Sequence, residues 1–348
     1  MHPAAEYHSL SIEAVVHETT DTVSFVLAIP DTLAETFRYA AGQFCTFRAT
    51  IEGHEVVRCY SMSSSPESDD PFTITVKRVS NGLMSNWMID TLVPGASIEV
   101  MRPTGLFVLR DGSPPIVAFA GGSGITPVIS IIKRALATTD RTILLVYANR
   151  DAEHVIFDST LRRLEENAAG RLRVHRHLDS ERGFLDATSC AELIDDRVDI
   201  NHADCYVCGP GPFMDAVEAG LLDRGVGHAQ IFIERFFVPA ATALADAPPD
   251  VDEPATTTES LVVDLAGRRH TLSYQAGDTI LEATRRGGLR APFSCEAGNC
   301  ATCMARLDDG TARMRVNNAL TAAEVEAGWV LTCQAVPQTP TLVVNYDA

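Results

Sequence analysis

The sequence predicts three folded domains of different class. An antiparallel β-barrel spans residues 1–110, and an α/β domain with a parallel sheet spans 111–238. After a linker at 239–258, a third domain fills 259–348. Three observations carry this division. Up to about residue 110, apolar and polar residues alternate in short runs. Beyond Pro114, continuous apolar runs take turns with amphipathic stretches. Residues 239–258 then hold four acids, four prolines and no basic residue, a composition too charged and too small-residue to bury a core.

In the first region Phe72-Thr73-Ile74-Thr75-Val76 alternates as a half-buried strand does, and Val23, Phe25, Leu27 and Ile29 repeat the pattern, as do Ile98 and Val100. Turn signals at Ala41-Gly42, Ser65-Pro66, Asn81-Gly82 and Pro94-Gly95 separate the runs, which is the rhythm of a small barrel. One helical stretch interrupts near Asn86 to Leu92. In the second region the apolar run Ile116 to Ala120 precedes a helix with Val128, Ile131, Ile132, Ala135 and Leu136 on one stripe. Further apolar runs at Ile143–Ala148, Cys205–Cys208 and Ile231–Ile233, with a helical run at Val155–Glu166 between them, complete a sheet buried on both faces.

Composition narrows the function. Apolar residues make up 46% and charged residues 21% of 348, the balance of an ordinary folded protein. A formal charge of −18 leaves no basic footprint for nucleic acid or an anionic membrane. No apolar run is long enough to span a bilayer and the first residues lack a signal-peptide pattern, so a cytoplasmic protein is expected. Thiols stay reduced there. Cys45, Cys59, Cys190 and Cys205 have no ligand spacing and are expected to pack, as is Trp87.

Cys295, Cys300, Cys303 and Cys333 differ. The C-x4-C-x2-C spacing with a distant fourth cysteine suits a 2Fe–2S cluster. Structural zinc is the alternative, but zinc favours paired short knuckles and only one is present. Gly298 would let the loop backbone approach the cluster and aim amides at its sulfurs. Such a cluster carries one electron and makes no bonds, so the other 238 residues must load it.

Those residues hold the parts of a flavin and nicotinamide site. Arg58-Cys59-Tyr60-Ser61 ends a barrel strand, offering an arginine for phosphate, a ring to stack on isoalloxazine and a hydroxyl near its hydride-accepting N5. Val76-Lys77 follows on a later strand, and Gly82, Met84 and Ser85 open a helix whose amides suit pyrophosphate. FMN could not use those pyrophosphate contacts, so FAD is expected. Gly121, Gly122 and Gly124 lie between a buried strand and a helix that Thr126-Pro127 would cap and start. Cys208, Gly209 and Pro210 repeat the strand-to-helix arrangement. After Asn149-Arg150, the acids Asp151 and Glu153 would repel a 2′-phosphate, so NADH is the expected donor.

These motifs resemble the ferredoxin–NADP reductase superfamily, here fused to a C-terminal domain similar to plant-type ferredoxins. Ala291-Pro292-Phe293-Ser294 entering the cysteine loop and Leu331-Thr332 before the last cysteine carry the second likeness, which implies a β-grasp fold over 259–348. Arg58-Cys59-Tyr60-Ser61, Ser85-Asn86-Trp87 and Tyr147-Ala148-Asn149-Arg150-Asp151 are most similar to the branch that serves steroid 9α-hydroxylases, and the branch serving phenylacetyl-CoA epoxygenases is alike in layout. The resemblance implies that Cys208 sits beside the nicotinamide, that Ser61 and Glu234 tune N5 and its proton supply, and that Phe236 covers the flavin. It implies electron flow from NADH through FAD and the cluster to a Rieske-type or similar oxygenase. Cluster electrons leave where the cluster approaches solvent, so the oxygenase is expected to dock at the loop from Phe293 to Thr302, with local shape and a few charges, Glu296 among them, setting partner choice. Two other readings stay open. One is a stand-alone flavin oxidoreductase using oxygen or a small acceptor. The other is a non-catalytic metal-binding module.

Overall fold

The computed structural model describes residues 7–68, 71–194, 198–236, 258, 260–293, 298, 301–317, 320 and 322–348. The chain divides into two units at Phe236. The first contains an antiparallel barrel of β1 (Tyr7–Thr19), β2 (Thr22–Ala28), β3 (Phe44–Ile51), β4 (His54–Ser61), β5 (Thr73–Lys77), helix α1 (Leu83–Thr91) and β6 (Ser97–Met101). The strand order is β4-β3-β6-β1-β2-β5, and an antiparallel bridge from Met62 to Ile74 brings the two edge strands together. Closure removes the unpaired edges that an open sheet would expose. The apolar members of each alternation face inward: Val23, Phe25 and Leu27 on β2, Ile74 and Val76 on β5, Ile98 and Val100 on β6. Phe25 and Phe47, both fully buried, each contribute about 1.5–3 kcal/mol by leaving water. Trp87 packs against this core from α1.

The same unit continues with β7 (Ile116–Gly121), α2 (Ile125–Thr138), β8 (Ile143–Asn149), α3 (Asp158–Asn167), β9 (Leu172–Leu178), α4 (Asp179–Arg182), α5 (Ala187–Glu192), β10 (Asp204–Gly209), α6 (Gly211–Asp223) and β11 (Ile231–Arg235). The five strands are parallel in the order β11-β10-β7-β8-β9. Every residue of β7 and β8 is buried, as continuous apolar runs require. The chain moves outward from β7 through β8 to β9, then returns to lay β10 on the other side of β7. That reversal opens a crevice at the carboxyl ends of β7 and β10, the place where open α/β sheets take ligands. The helical run expected from Val155 begins instead at Asp158. Asp151 accepts hydrogen bonds from the amides of Glu153 and His154 to cap a short 3-10 turn, and Phe157 adopts a left-handed conformation (φ 62°) that breaks the coil before α3.

The second unit holds β12 (Ser260–Leu265), β13 (Arg268–Leu272), α7 (Ile280–Arg286), β14 (Met304–Asp309), β15 (Ala312–Met314), α8 (Ala322–Glu326), β16 (Trp329–Leu331), β17 (Ala335–Pro337) and β18 (Thr341–Asn345). The mixed sheet runs β13-β12-β18-β14-β16, with the C-terminal β18 parallel to β12. Helix α7 starts at a reciprocal cap between Thr279 and Glu282, and its Ile280 and Ala283 join the sheet core. A hairpin, a packed helix and a returning parallel strand make the β-grasp arrangement. Residues 239–257 of the expected linker lie outside the described residues.

Candidate functional site

The loops after β7 and β10 meet in the crevice because glycine lets them. A Cβ on Gly124 would stand 2.1 Å from the carbonyl oxygen of Cys208, and one on Gly209 would stand 2.6 Å from the Phe213 ring. A Cβ on Gly121 would fall 2.9 Å from Cδ of Pro210, so both predicted motifs form one surface. Gly122 needs its glycine for another reason, a φ of +52°. Tyr147, which sequence reasoning did not assign a role, donates from its hydroxyl to the Gly122 carbonyl at 3.1 Å and steadies the turn. The expectation for Thr126 is corrected. Gly124 is the N-cap of α2, and the Ile125 amide already donates to the Gly122 and Ser123 carbonyls. Thr126 therefore has helical backbone, and its hydroxyl donates back to the Ser123 carbonyl at 3.1 Å. Pro127 lies in the first turn, where its missing N–H is no loss.

Cys208 is fully buried, and burial, then the negative Glu234, pushes its thiol well above the ordinary range. Cys208 and Glu234 are register partners on β10 and β11, which brings two of the predicted reactive residues side by side. Cys208 is therefore a neutral thiol. Phe236, two residues beyond Glu234, packs against the core of the parallel-sheet domain. At the end of β8, Asp151 accepts from His154 Nδ1 at 2.5 Å, and that bond holds its carboxyl below the usual range. Arg150 lies against Asp151 and the other ring nitrogen of His154.

On the barrel side, Arg58, Cys59, Tyr60 and Ser61 occupy the end of β4. Arg58 donates to its neighbour's carbonyl, on Val57, at 2.7 Å, and the Tyr60 ring meets Phe47 edge-on. The Cys59 thiol lies 3.5 Å from the Thr46 hydroxyl, a packing contact. Ser61 Oγ is buried with no hydrogen-bond partner, which is costly unless a bound group supplies one. A flavin edge fits that vacancy in bonding. Val76 and Met84 have their side chains in the barrel core, so only their backbones can face a cofactor. Lys77 pairs with Asp21 at 3.7 Å and reaches to within 3.9 Å of where a Gly122 Cβ would be, spanning from barrel to nucleotide loop. Gly82 is the N-cap of α1 and offers no side-chain cap to its amides, which suits pyrophosphate. The Ser85 hydroxyl instead accepts from the Val79 amide at 3.2 Å and shapes the turn.

In the second unit, Cys303 and Cys333 are buried in one cluster with Leu281, Ala291 and Leu331. Thr332 holds them together: its hydroxyl and amide donate to the Cys303 carbonyl at 2.8 and 3.2 Å. Cys295, Cys300 and Glu296 lie outside the described residues. Gly298 has φ +74°, and a Cβ there would meet the Val316 carbonyl at 2.8 Å and the Gln334 side chain at 3.1 Å, beside Cys333. Ala301 also takes a left-handed φ of 52°, unusual without glycine. Two buried thiols, with the left-handed Gly298 and Ala301 beside them, fit the cluster.

Comparison with known proteins agrees domain by domain. An oxidoreductase FAD-binding domain family matches residues 9–109, an oxidoreductase NAD-binding domain family 119–219, and a 2Fe-2S iron-sulfur cluster binding domain family 263–338. The ferredoxin reductase component of 3-ketosteroid-9-alpha-monooxygenase from Rhodococcus rhodochrous is 39% identical over 340 residues, covering 97% of this chain and 96% of the relative. One of the 1,2-phenylacetyl-CoA epoxidase polypeptides of Escherichia coli K12 is 32% identical, with 98% of each chain covered. Among solved structures, phthalate dioxygenase reductase, described as a modular structure for electron transfer from pyridine nucleotides to 2Fe–2S, superposes with a TM-score of 0.61 at 25% identity, covering 97% of this chain and 98% of that one. With its FAD-binding, NAD-binding and 2Fe–2S domains in that order, the chain belongs to the oxidoreductase family of the ferredoxin reductase components of multicomponent oxygenases.

Proposed function

We propose that this reductase draws electrons from NADH and delivers them to an oxygenase acting on a hydrophobic substrate such as a steroid or an aromatic compound. The domains divide at 1–110, 111–238 and 259–348, joined by an extended acidic linker, and the protein works in the cytoplasm. No helix among the described residues is long and apolar enough to cross a membrane. When bound, FAD accepts a hydride and gives up electrons singly, and the cluster carries them one at a time. The chain's own residues hold and orient. Gly121, Gly122, Gly124, Thr126, Gly209 and Pro210 form the bed for NADH, and Cys208, as a neutral thiol, packs where the nicotinamide lies. Arg58 answers the FAD phosphates with the α1 amides, Tyr60 stacks on the ring system, and Ser61 supplies a hydroxyl at N5, with Glu234 near the proton supply. Phe236 covers the flavin until nicotinamide displaces it. Cys295, Cys300, Cys303 and Cys333 ligate the cluster, and the loop from Phe293 to Thr302 meets the oxygenase.

The observation that carries this reading is the buried, unpartnered Ser61 hydroxyl on the same unit as the Gly124–Cys208 approach. A donor bed and an acceptor-side hydroxyl are what hydride transfer needs. Purified protein should show cluster absorbance over flavin bands. Anaerobic NADH should bleach both, and substrate oxidation by an added oxygenase should require this protein. Full turnover with oxygen or a small acceptor and no delivery to any oxygenase would favour the stand-alone reading instead.

A further inference from the structure

A row of hydrogen-bonded side chains crosses the outside of the barrel, apart from the residues that bind cofactors. Ser24 on β2 donates to Glu18 on β1 at 2.6 Å. Ser24 Oγ lies 2.8 Å from Thr75 Oγ1 on β5, and Thr75 Oγ1 lies 2.7 Å from Ser63 Oγ. Ser24, Thr75 and Ser63 are all buried, although their inward neighbours Val23, Ile74 and Val76 already fill the barrel core. A carboxylate only accepts, so an ionised Glu18 orients the whole row: Ser63 donates to Thr75, Thr75 to Ser24, Ser24 to Glu18.

One end of the row reaches the flavin site. The Met62–Ile74 bridge, with the Ser63 amide donating to the Thr73 carbonyl at 2.9 Å, sets an antiparallel register in which Ser61 stands opposite Thr75 on one face. Such cross-strand neighbours have Cβ atoms about 4.5–5.5 Å apart, so a turn of the Ser61 side chain about its Cα–Cβ bond can bring its hydroxyl to Thr75, although the two are not bonded in this structure. Ser61 Oγ is the buried atom that lacks a partner. The other end opens into a cavity of about 180 Å³ whose wall includes Glu18, Ser24, Ser63, Lys133 and Arg163. Lys133 from α2 and Arg163 from α3 are the charged groups facing Glu18 there. Burial raises the Glu18 carboxyl above its ordinary range, and the Ser24 bond and Lys133 offset part of that rise.

We propose that Thr75, Ser24 and Glu18, with Ser63 bonded to Thr75, form a proton relay to the interdomain cavity that Ser61 joins by turning its hydroxyl to Thr75. The inference rests on the reading of Ser61 as the neighbour of the hydride-accepting atom. The balance requires an exit. A hydride brings two electrons and one proton, and a one-electron cluster takes only the electrons. Each NADH thus becomes NAD⁺, two electrons and one proton, and that proton must leave the flavin site. Each hydroxyl in the row accepts one proton and passes its own on, which reverses the row, so the row is restored when Glu18 releases its proton to the cavity and the hydroxyls rotate back toward its carboxylate.

The test compares wild type, Glu18→Gln and Thr75→Val, with Glu13→Gln on the exposed side of β1 as control. NADH-reduced holoprotein is mixed with ferricyanide, and flavin reoxidation is followed against pH in H₂O and D₂O. Wild type and control should speed up as pH rises through the Glu18 titration and slow in D₂O. The Gln and Val variants should lose the pH step and run about tenfold slower, at the low side of what positioned proton transfer contributes. Infrared difference spectra between reduced and oxidised protein should show a protonated carboxyl band that Glu18→Gln removes. Wild-type pH profiles and isotope effects in both variants, or an unchanged infrared band, would overturn the relay. A wild-type protein that NADH does not reduce would overturn the reductase reading and the relay with it.

Discussion

Replacing Gly124 by alanine separates two effects of opposite sign. Gly124 has an ordinary helical backbone (φ −61°, ψ −11°), so alanine has no conformational objection, and fewer unfolded states alone would stabilise by about 0.4–1 kcal/mol. The added methyl, however, would stand 2.1 Å from the Cys208 carbonyl oxygen, where real contacts essentially never fall under 3.0 Å. The neighbour is backbone at the end of β10, with Cys208 paired in register to both β7 and β11, so no side chain can rotate away. The loops must part by about 1 Å, and such overpacking costs about 1–3 kcal/mol, which outweighs the gain. The larger consequence is kinetic. A misplacement of about 1 Å between reacting groups slows a reaction by about 10²-fold. Anaerobic stopped-flow bleaching of the flavin at saturating NADH should show that loss, and thermal unfolding should show a lowered midpoint with the protein still folded. A folded Gly124→Ala protein with wild-type bleaching would refute the idea that this close approach positions the nicotinamide.

Three further outcomes are expected. Cys300→Ser should abolish the cluster absorbance and electron delivery while NADH still bleaches the flavin, since the hydride step needs only the first unit; loss of flavin reduction in a folded variant would break the serial scheme. Arg141→Ala should lower stability by about 3–5 kcal/mol in denaturant titration, because its buried guanidinium pairs with Asp204 at 2.5 Å and donates to the carbonyls of Arg110 and Pro114, all left unanswered on truncation. kcat/KM with NADH should exceed that with NADPH, because the Asp151 carboxylate, kept ionised by its bond to His154, stands at the end of β8; comparable values would refute the preference.

Period and spacing made much of this fold legible. Alternation over Phe72–Val76 gave β5, and the apolar runs at Ile116 and Ile143 gave two strands buried on both faces. Helix starts were less readable, because they depend on where backbone bonds close. Thr126 looked like a cap, yet a 3-10 turn of Gly122–Gly124 had already begun the coil. Val155 looked helical, yet the left-handed Phe157 interrupts the coil and α3 begins only at Asp158. Among candidate site residues, the motif named Val76 and Met84 along with Arg58 and Ser61. Adjacency in sequence cannot say that the first two turn inward, where only their backbone remains available.

What pattern could not supply is the contact between barrel and parallel sheet, which joins residues far apart in sequence. Ser130 on α2 donates to the Ser64 carbonyl at 2.5 Å and accepts from the Gly42 amide at 3.2 Å. Lys133, one turn on, donates to the Ser63 carbonyl at 3.1 Å. Asp21, in the turn after β1, faces Lys77 at 3.7 Å and His154 at 3.8 Å. Each of these looks in the sequence like a surface polar residue, with no spacing to mark it. Together they tie the strand that carries Ser61 to the helix that begins at the nucleotide loop. Hydride transfer requires the donor and acceptor to be held within a few tenths of an ångström, and neither domain's own core can fix the other's position. The precision of the site therefore resides in these long-range polar contacts, so removing Ser130 or Lys133 should disturb hydride geometry more than either residue's distance from the chemistry suggests.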